Sequence, residues 1–184
     1  MEASKKEVTS LQKINNTECI KIEENLYIRQ IEPGVIIMPY TLDNEGNPDK
    51  IGILNEISNH RPGGISNTLI TGSQDISDSN VLNTAIRELE EESGFKVTDI
   101  KRWNFLGTIF TSKLVVNPNP CFSVNITSLA AEEKKTDGSD EEKNSKFILV
   151  SIEEALNIDD ALVSTLFIKT FKNLMLKTKN NEPS

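Results

Sequence analysis

Apolar positions follow two rhythms along this chain, one of period two and one of helical period, and the two take turns. "ECIKIEENLYIRQI" (18–31) alternates enough to be a strand and is closed by the turn signal Glu32-Pro33-Gly34. "VIIMPYTLD" (35–43) is an apolar run fit for a buried strand, "NEGNPD" (44–49) is a dense turn, and "KIGILNEIS" (50–58) returns from it. The pair reads as a hairpin. "NHRPGGISN" (59–67) is a loop, and "TLITG" (68–72) is a short strand ending on glycine. Then the rhythm changes. Leu82, Ala85, Ile86 and Leu89 fall at i, i+3, i+4 and i+7, the apolar face of a helix. Ser77, Asp78, Ser79 or Asn80 offers its N-cap and Gly94 its C′ residue.

Strand signals resume in "VTDIKRWNFLGTIFTSKLVV" (97–116), enough for one or two strands, and in "CFSVNITSLAA" (121–131). "EEKKTDGSDEEKNSK" (132–146) holds no apolar residue and reads as a mobile loop. "FILVS" (147–151) is a buried strand, and "IEEAL" (152–156) starts a short helix. The last helix, "DDALVSTLFIKTFKNLMLK" (159–177), carries Leu162, Leu166, Phe167, Phe171 and Leu174 at helical spacing, as core contacts would. This order predicts an α+β domain with helices flanking a mixed sheet. It occupies 18–178, between a flexible arm over 1–17 and a disordered tail over 179–184.

Composition narrows the chemistry. A net charge of −8 over 184 residues argues against a bulk nucleic-acid binder, which would carry a basic stripe. An acidic protein that handles phosphates needs metal cations to do so. Cys19 and Cys121 stand in no metal-ligand or redox spacing and read as ordinary thiols in a reducing compartment. "MEASKKEVTS" lacks the apolar run of a signal peptide, and nothing approaches the roughly 18 apolar residues of a membrane span. A cytoplasmic location without a membrane partner is expected. His60 is the only histidine, and no serine or cysteine nucleophile signature accompanies it. Arg61, beside Pro62-Gly63-Gly64, is a candidate contact to a substrate phosphate or adenine, though a plain turn is the simpler and preferred reading.

The acidic end of the first helix carries more. Glu88, Glu91 and Glu92 stand at i, i+3 and i+4, so their side chains leave one helix face with β-carbons about 5–6 Å apart. Carboxylates that close repel unless a cation sits among them. Mg²⁺ and Mn²⁺ prefer such oxygens and share them with substrate phosphates. Arg87, four residues before Glu91, can pair with it and orient it. A solvated charged face is the plainer reading of a glutamate run. Here, though, the helix follows the strand-glycine turn Leu69-Ile70-Thr71-Gly72, and sites are commonly built at strand ends.

"RELEEESGF" (87–95) resembles the second half of the Nudix box, R-E-U-x-E-E-x-G-U with U apolar, at Arg87, Glu88, Leu89, Glu91, Glu92, Gly94 and Phe95. That resemblance implies an α/β/α sandwich in which the three glutamates bind Mg²⁺ or Mn²⁺ against a pyrophosphate. A backbone carbonyl in the preceding loop adds a ligand, and counting back places it on Ser73, where the box has glycine. Ser79 stands where the box has a further glutamate, and Asp75 and Asp78 are the acidic residues nearby.

"NPNPCFS" (117–123) is similar to a loop of the ADP-ribose pyrophosphatase branch at Pro118, Pro120, Phe122 and Ser123, which makes Pro120 and Phe122 candidate substrate contacts. "VSIEEALNIDDALVSTLFI" looks like the same branch's closing segment, and the resemblance spans roughly 20–175. It implies Mg²⁺-dependent hydrolysis of the pyrophosphate bond in ADP-ribose or a related nucleoside diphosphate-linked compound. The catalytic set would be Arg87, Glu88, Glu91 and Glu92, with a base from the loop before the last strand, Glu141 or Glu142. Aligned rigidly, the base position falls on Lys143 or Lys146. A homodimer built through 18–31 is also implied. The alternative is a catalytically weak or inactive Nudix-fold module that binds a nucleotide or partner protein, or serves as a structural component of a larger assembly. Ser73, Ser79, Lys143 and Lys146 favour it, and the intact glutamate triad favours the enzyme.

Overall fold

The apolar run at 35–40 is buried throughout because it forms the middle of a sheet covered on both faces. The computed structural model describes residues 8–14, 17–23, 25–30, 34–58, 62–132 and 145–179. In chain order the strands are β1 (Val8–Ile14), β2 (Thr17–Ile22), β3 (Asn25–Gln30), β4 (Gly34–Leu42), β5 (Pro48–Ile57), β6 (Ile65–Thr68), β7 (Ile70–Ser73), β8 (Trp103–Ile109), β9 (Asn119–Asn125) and β10 (Lys146–Ser151). The α-helices are α1 (Val81–Ser93), α2 (Ile152–Leu156) and α3 (Ala161–Lys179). The main sheet runs β10-β5-β4-β9-β8, with β6 beside β5 and β7 beside β4.

β4 decides the layout. It lies parallel to β9, which places Ile37 opposite Phe122. Its first half pairs antiparallel with β7, Gly34 opposite Ser73 and Val35 opposite Gly72. Its second half pairs with β5, Tyr40 opposite Ile51. The strand alternation then splits the core in two. Val35 and Ile37 pack with Ala85 and Leu89 of α1, while Ile36, Met38 and Tyr40 pack with Val163 and Leu166 of α3. The molecule is an α/β/α sandwich, as expected, and each fully buried aliphatic side chain contributes about 1.5–3 kcal/mol.

Several expectations are corrected. The arm expected over 1–17 contains β1, which pairs antiparallel with β2. The single strand expected over 18–31 is the hairpin β2–β3, turned at Glu23, whose φ is 57°. One face of this small sheet buries Ile20 and Glu18, the latter paired with Arg29. The small sheet meets the rest of the chain where Ile28 N–H donates to Leu114 O at 2.7 Å and Val116 N–H to Ile28 O at 3.0 Å. The 97–116 segment holds one strand, β8, within the one or two expected, with a bulge between Phe105 and Gly107. Residues 59–61, and with them Arg61, lie outside the described residues, as do Glu141, Glu142 and the tail from 180.

Phe122 is the clearest correction. Its ring is buried against Trp103, edge-on at 6.1 Å, and against Phe105 at 5.3 Å, within the cluster beneath α1. No substrate reaches it without opening the core. Its match to a substrate loop reflects β9 packing instead. Pro120, two residues earlier on the same face of β9, is half-buried opposite Thr108. Phe122→Ala is expected to lower unfolding free energy by about 3–5 kcal/mol in urea denaturation. A substrate contact would instead leave stability unchanged and raise KM.

Candidate active site

α1 begins where Asn80 Oδ1 accepts the backbone N–H groups of Leu82 at 2.9 Å and Asn83 at 3.1 Å. It ends at Gly94, in the left-handed region at φ 76°, whose N–H donates to Glu90 O at 2.9 Å. Both caps lie within the set the sequence predicts. With Ala85 and Leu89 fixed in the core, the face bearing Glu88 is laid across the end of β7. Glu88 lies directly over Gly72, where a β-carbon would stand 1.8 Å from its Cδ. Only glycine at 72 leaves room for that carboxylate. The signal was present in the sequence, since a glycine inside a strand often marks close approach of another group.

Arg87 organises what surrounds Glu88. Its Nη1 donates to Glu91 Oε2 at 2.8 Å and pairs with Glu88 Oε1 at 2.9 Å. Its Nη2 donates to Ser73 O at 2.8 Å and to Asp78 Oδ2 at 2.9 Å, and Nε faces both Asp78 oxygens at 3.3 Å. Burial works to lower the Arg87 pKa, but hydrogen bonding to Asp78 and the charges of Glu88 and Glu91 outweigh it and raise it. Asp78 moves the other way: the Arg87 hydrogen bond holds it below the usual carboxylate range.

Glu88 is 8% exposed. Burial pushes its carboxyl up to about 7; the Arg87 charge opposes the shift, and Glu91 and Glu92 reinforce it. Among the described residues, no three carboxylate, imidazole or thiol side chains converge as they stand on a point that would hold a cation. Glu88 and Glu91 lean on Arg87 instead. The donor set itself fits a hard divalent ion: three carboxylates of one helix face, one of them in a cradle that a β-carbon would fill, next to a strand-end carbonyl.

Among the described residues, cavities lie against the sheet. One of about 210 Å³ lies at the ends of β4 and β7 and is lined by Ile36, Thr71, Gly72, Ser73, Thr111 and Asn119 together with Leu162 of α3. The larger, about 500 Å³, lies on the α3 side between β5, β6, β10 and the turn after α2. Its floor carries the amide pair in which Asn55 Nδ2 donates to Asn67 Oδ1 at 2.7 Å.

No family model and no curated protein matches the sequence. Solved structures do. A Nudix hydrolase from Nitrosomonas europaea superposes with a TM-score of 0.54 at 17% identity, covering 77% of this chain and 90% of that one. The chain has the Nudix fold. A structure described as a possible asymmetric diadenosine tetraphosphate hydrolase from Jonesia denitrificans aligns with a TM-score of 0.49 at 12% identity, over 78% of this chain and 94% of that one.

Within the Nudix fold, Pro120 is half-buried on β9 and the other predicted residues fall into four groups. Arg87, Glu88, Glu91 and the carbonyl of Ser73 meet at one place. Glu92 sits one turn further along the helix, where Ser145 Oγ donates to its Oε2 at 3.3 Å. Phe122 lies in the core, and Arg61, Glu141 and Glu142 lie outside the described residues. Ser79, at the position of the box glutamate, is exposed, and its Oγ accepts from Asn83 Nδ2 at 2.5 Å. Asp78, one residue earlier, pairs with the Arg87 guanidinium. Among the described residues, no helix is long and apolar enough to cross a membrane.

The raised carboxyl of Glu88 has a measurable sign. A carboxyl whose folded value lies above its ordinary 4.5 binds its proton better in the folded state. Its contribution to stability is therefore full below 4.5 and is lost as pH rises from there through about 7. In EDTA, Glu88→Gln escapes this loss, so its melting-temperature advantage over the parent chain is expected to widen between about pH 5 and pH 8. A gap that stays constant across that range would show that the Glu88 carboxylate is not desolvated.

Proposed function

We propose that this chain is a Mg²⁺- or Mn²⁺-dependent hydrolase of the pyrophosphate bond in ADP-ribose or a related nucleoside diphosphate-linked compound. One observation carries the reading: Glu88, Glu91 and Glu92 leave one face of α1 beside the end of β7, with Glu88 seated over Gly72 and Arg87 gripping two of the three. Glu88, Glu91, Glu92 and the Ser73 carbonyl would hold the ion. Once bound, the ion supplies neutralisation of phosphate oxygens and activation of water. The hydroxyls and amide around the 210 Å³ pocket, at Thr71, Thr111 and Asn119, suit the part of the substrate next to the scissile bond. The amide-floored cleft behind the sheet suits an uncharged heterocycle better than a phosphate, because Glu154 and Asp159 line it.

A base from Glu141 or Glu142 belongs to the same proposal. The described residues on either side of that loop support it, since both bond to the end of α1. Glu132 N–H donates to Gly94 O at 2.9 Å, and Ser145 Oγ bonds Glu92. The implied homodimer is proposed as well, supported by Leu26 and Ile28, which stay exposed on one face of the small sheet.

Incubation with ADP-ribose, other nucleotide sugars and dinucleoside polyphosphates, with Mg²⁺ or Mn²⁺ and chromatographic readout, tests the activity. A nucleoside monophosphate and a sugar phosphate are expected from ADP-ribose. Glu92→Gln should lower turnover by on the order of 100-fold or more, the scale of losing one group that stabilises charge at the reacting centre, with its melting curve unchanged. Product from none of these compounds would favour the module that binds without turning over.

A further inference from the structure

We infer that Asp78 is a positioning residue: its carboxylate holds the Arg87 guanidinium in the orientation that leaves Glu88, Glu91 and Glu92 available to a divalent cation. This rests on the reading of those glutamates as metal ligands. A guanidinium has five N–H donors in a fixed plane, so where one edge is held the others are aimed. Here Nε and Nη2 face Asp78, Nη2 also reaches Ser73 O, and Nη1 alone is left for Glu88 and Glu91.

Asp78 is itself fixed from the other side. Its side chain is 7% exposed, Asp75 N–H donates to its Oδ2 at 2.9 Å, and Gln74 Nε2 donates to its carbonyl at 3.1 Å. Its own N–H donates to Asp75 O at 3.0 Å, closing a turn that points the carboxylate inward. This is not a solvent-exposed ion pair of negligible worth. Its loss would leave a partly buried cation with two glutamates already in reach and a third one turn away. Arg87 would then settle across those carboxylates and compete with the metal for the same oxygens.

Mn²⁺ titration of the full chain, followed by electron paramagnetic resonance or calorimetry, tests this. Asp78→Asn is expected to weaken Mn²⁺ binding by about 10- to 100-fold, while Asp78→Glu keeps the ion pair and restores most of the affinity. In an Arg87→Met background Asp78→Asn should change nothing further, because Asp78 acts through Arg87. Unaltered affinity in Asp78→Asn, or an equal loss in the Arg87→Met background, would overturn the inference while leaving the metal reading intact. A parent chain that binds no Mn²⁺ would overturn both. Should Asp78→Asn fail to fold, the parent chain decides: its Arg87 Nε–H resonance stays protected from exchange as Mg²⁺ saturates, and passage into rapid exchange refutes the role.

Discussion

Three glutamates on one helix face and one arginine among them set up the competition on which this site depends. Carboxylates at i, i+3 and i+4 repel, and Glu88 is buried as well, so the face needs positive charge. Two sources can provide it, the guanidinium of Arg87 and a divalent ion. If the guanidinium satisfied all three carboxylates, the helix would be a stable internal ion cluster with nothing left to bind. It does not, because Asp78 and the Ser73 carbonyl take two of its three nitrogens. The site is held in partial neutralisation: burial raises the Glu88 carboxyl, and the Arg87 charge only partly opposes that shift.

The fold exists around this arrangement in a definite sense. β4 pairs with β7 through its first half and with β5 through its second, so β7 ends beside the start of β4. That places the Gly72–Ser73 peptide under α1, while Ala85 and Leu89 anchor the helix to the core beneath. The helix cannot rotate without exposing those side chains, at a cost of about 1.5–3 kcal/mol for each buried aliphatic residue. Packing on one side of α1 thus fixes the direction of the charges on the other. The burial of β4 on both faces is what permits helices on both sides, and so a cavity behind the sheet as well as a site in front.

Much of this was legible in the residues, and the exceptions have physical causes. The hairpin at 34–57, the helix with its glycine cap and the buried strand at 146–151 follow from periodicity and turn chemistry, which act locally. β1 was missed because "VTSLQKI" is polar on one side and gains its order from pairing with β2, a non-local contact. β6 was missed because its four residues lie within a Gly- and Asn-rich stretch and are set by pairing with β5. Phe122 was misassigned because a motif match ignores strand parity. On β9 its side chain falls on the face that packs under α1, with Val124. The triad and Arg87 were readable because a helix converts spacing into direction without help from the rest of the chain.

Ser79 shows where spacing stops being informative. Along a helix, a one-residue displacement turns a side chain by about 100°, and a misplaced carboxylate is lost to the site. Asp78 lies before the helix starts, in a loop whose backbone is shaped by the Asp75 turn, and there sequence position and spatial position are only loosely coupled. Asp78 reaches Arg87 because that turn carries its side chain inward, where it is 7% exposed. A substitution inside the helix, at Glu88, Glu91 or Glu92, has no such freedom. This box departs from its pattern in the loop, where the turn sets a side chain's position, and keeps it on the helix, where the helical repeat does.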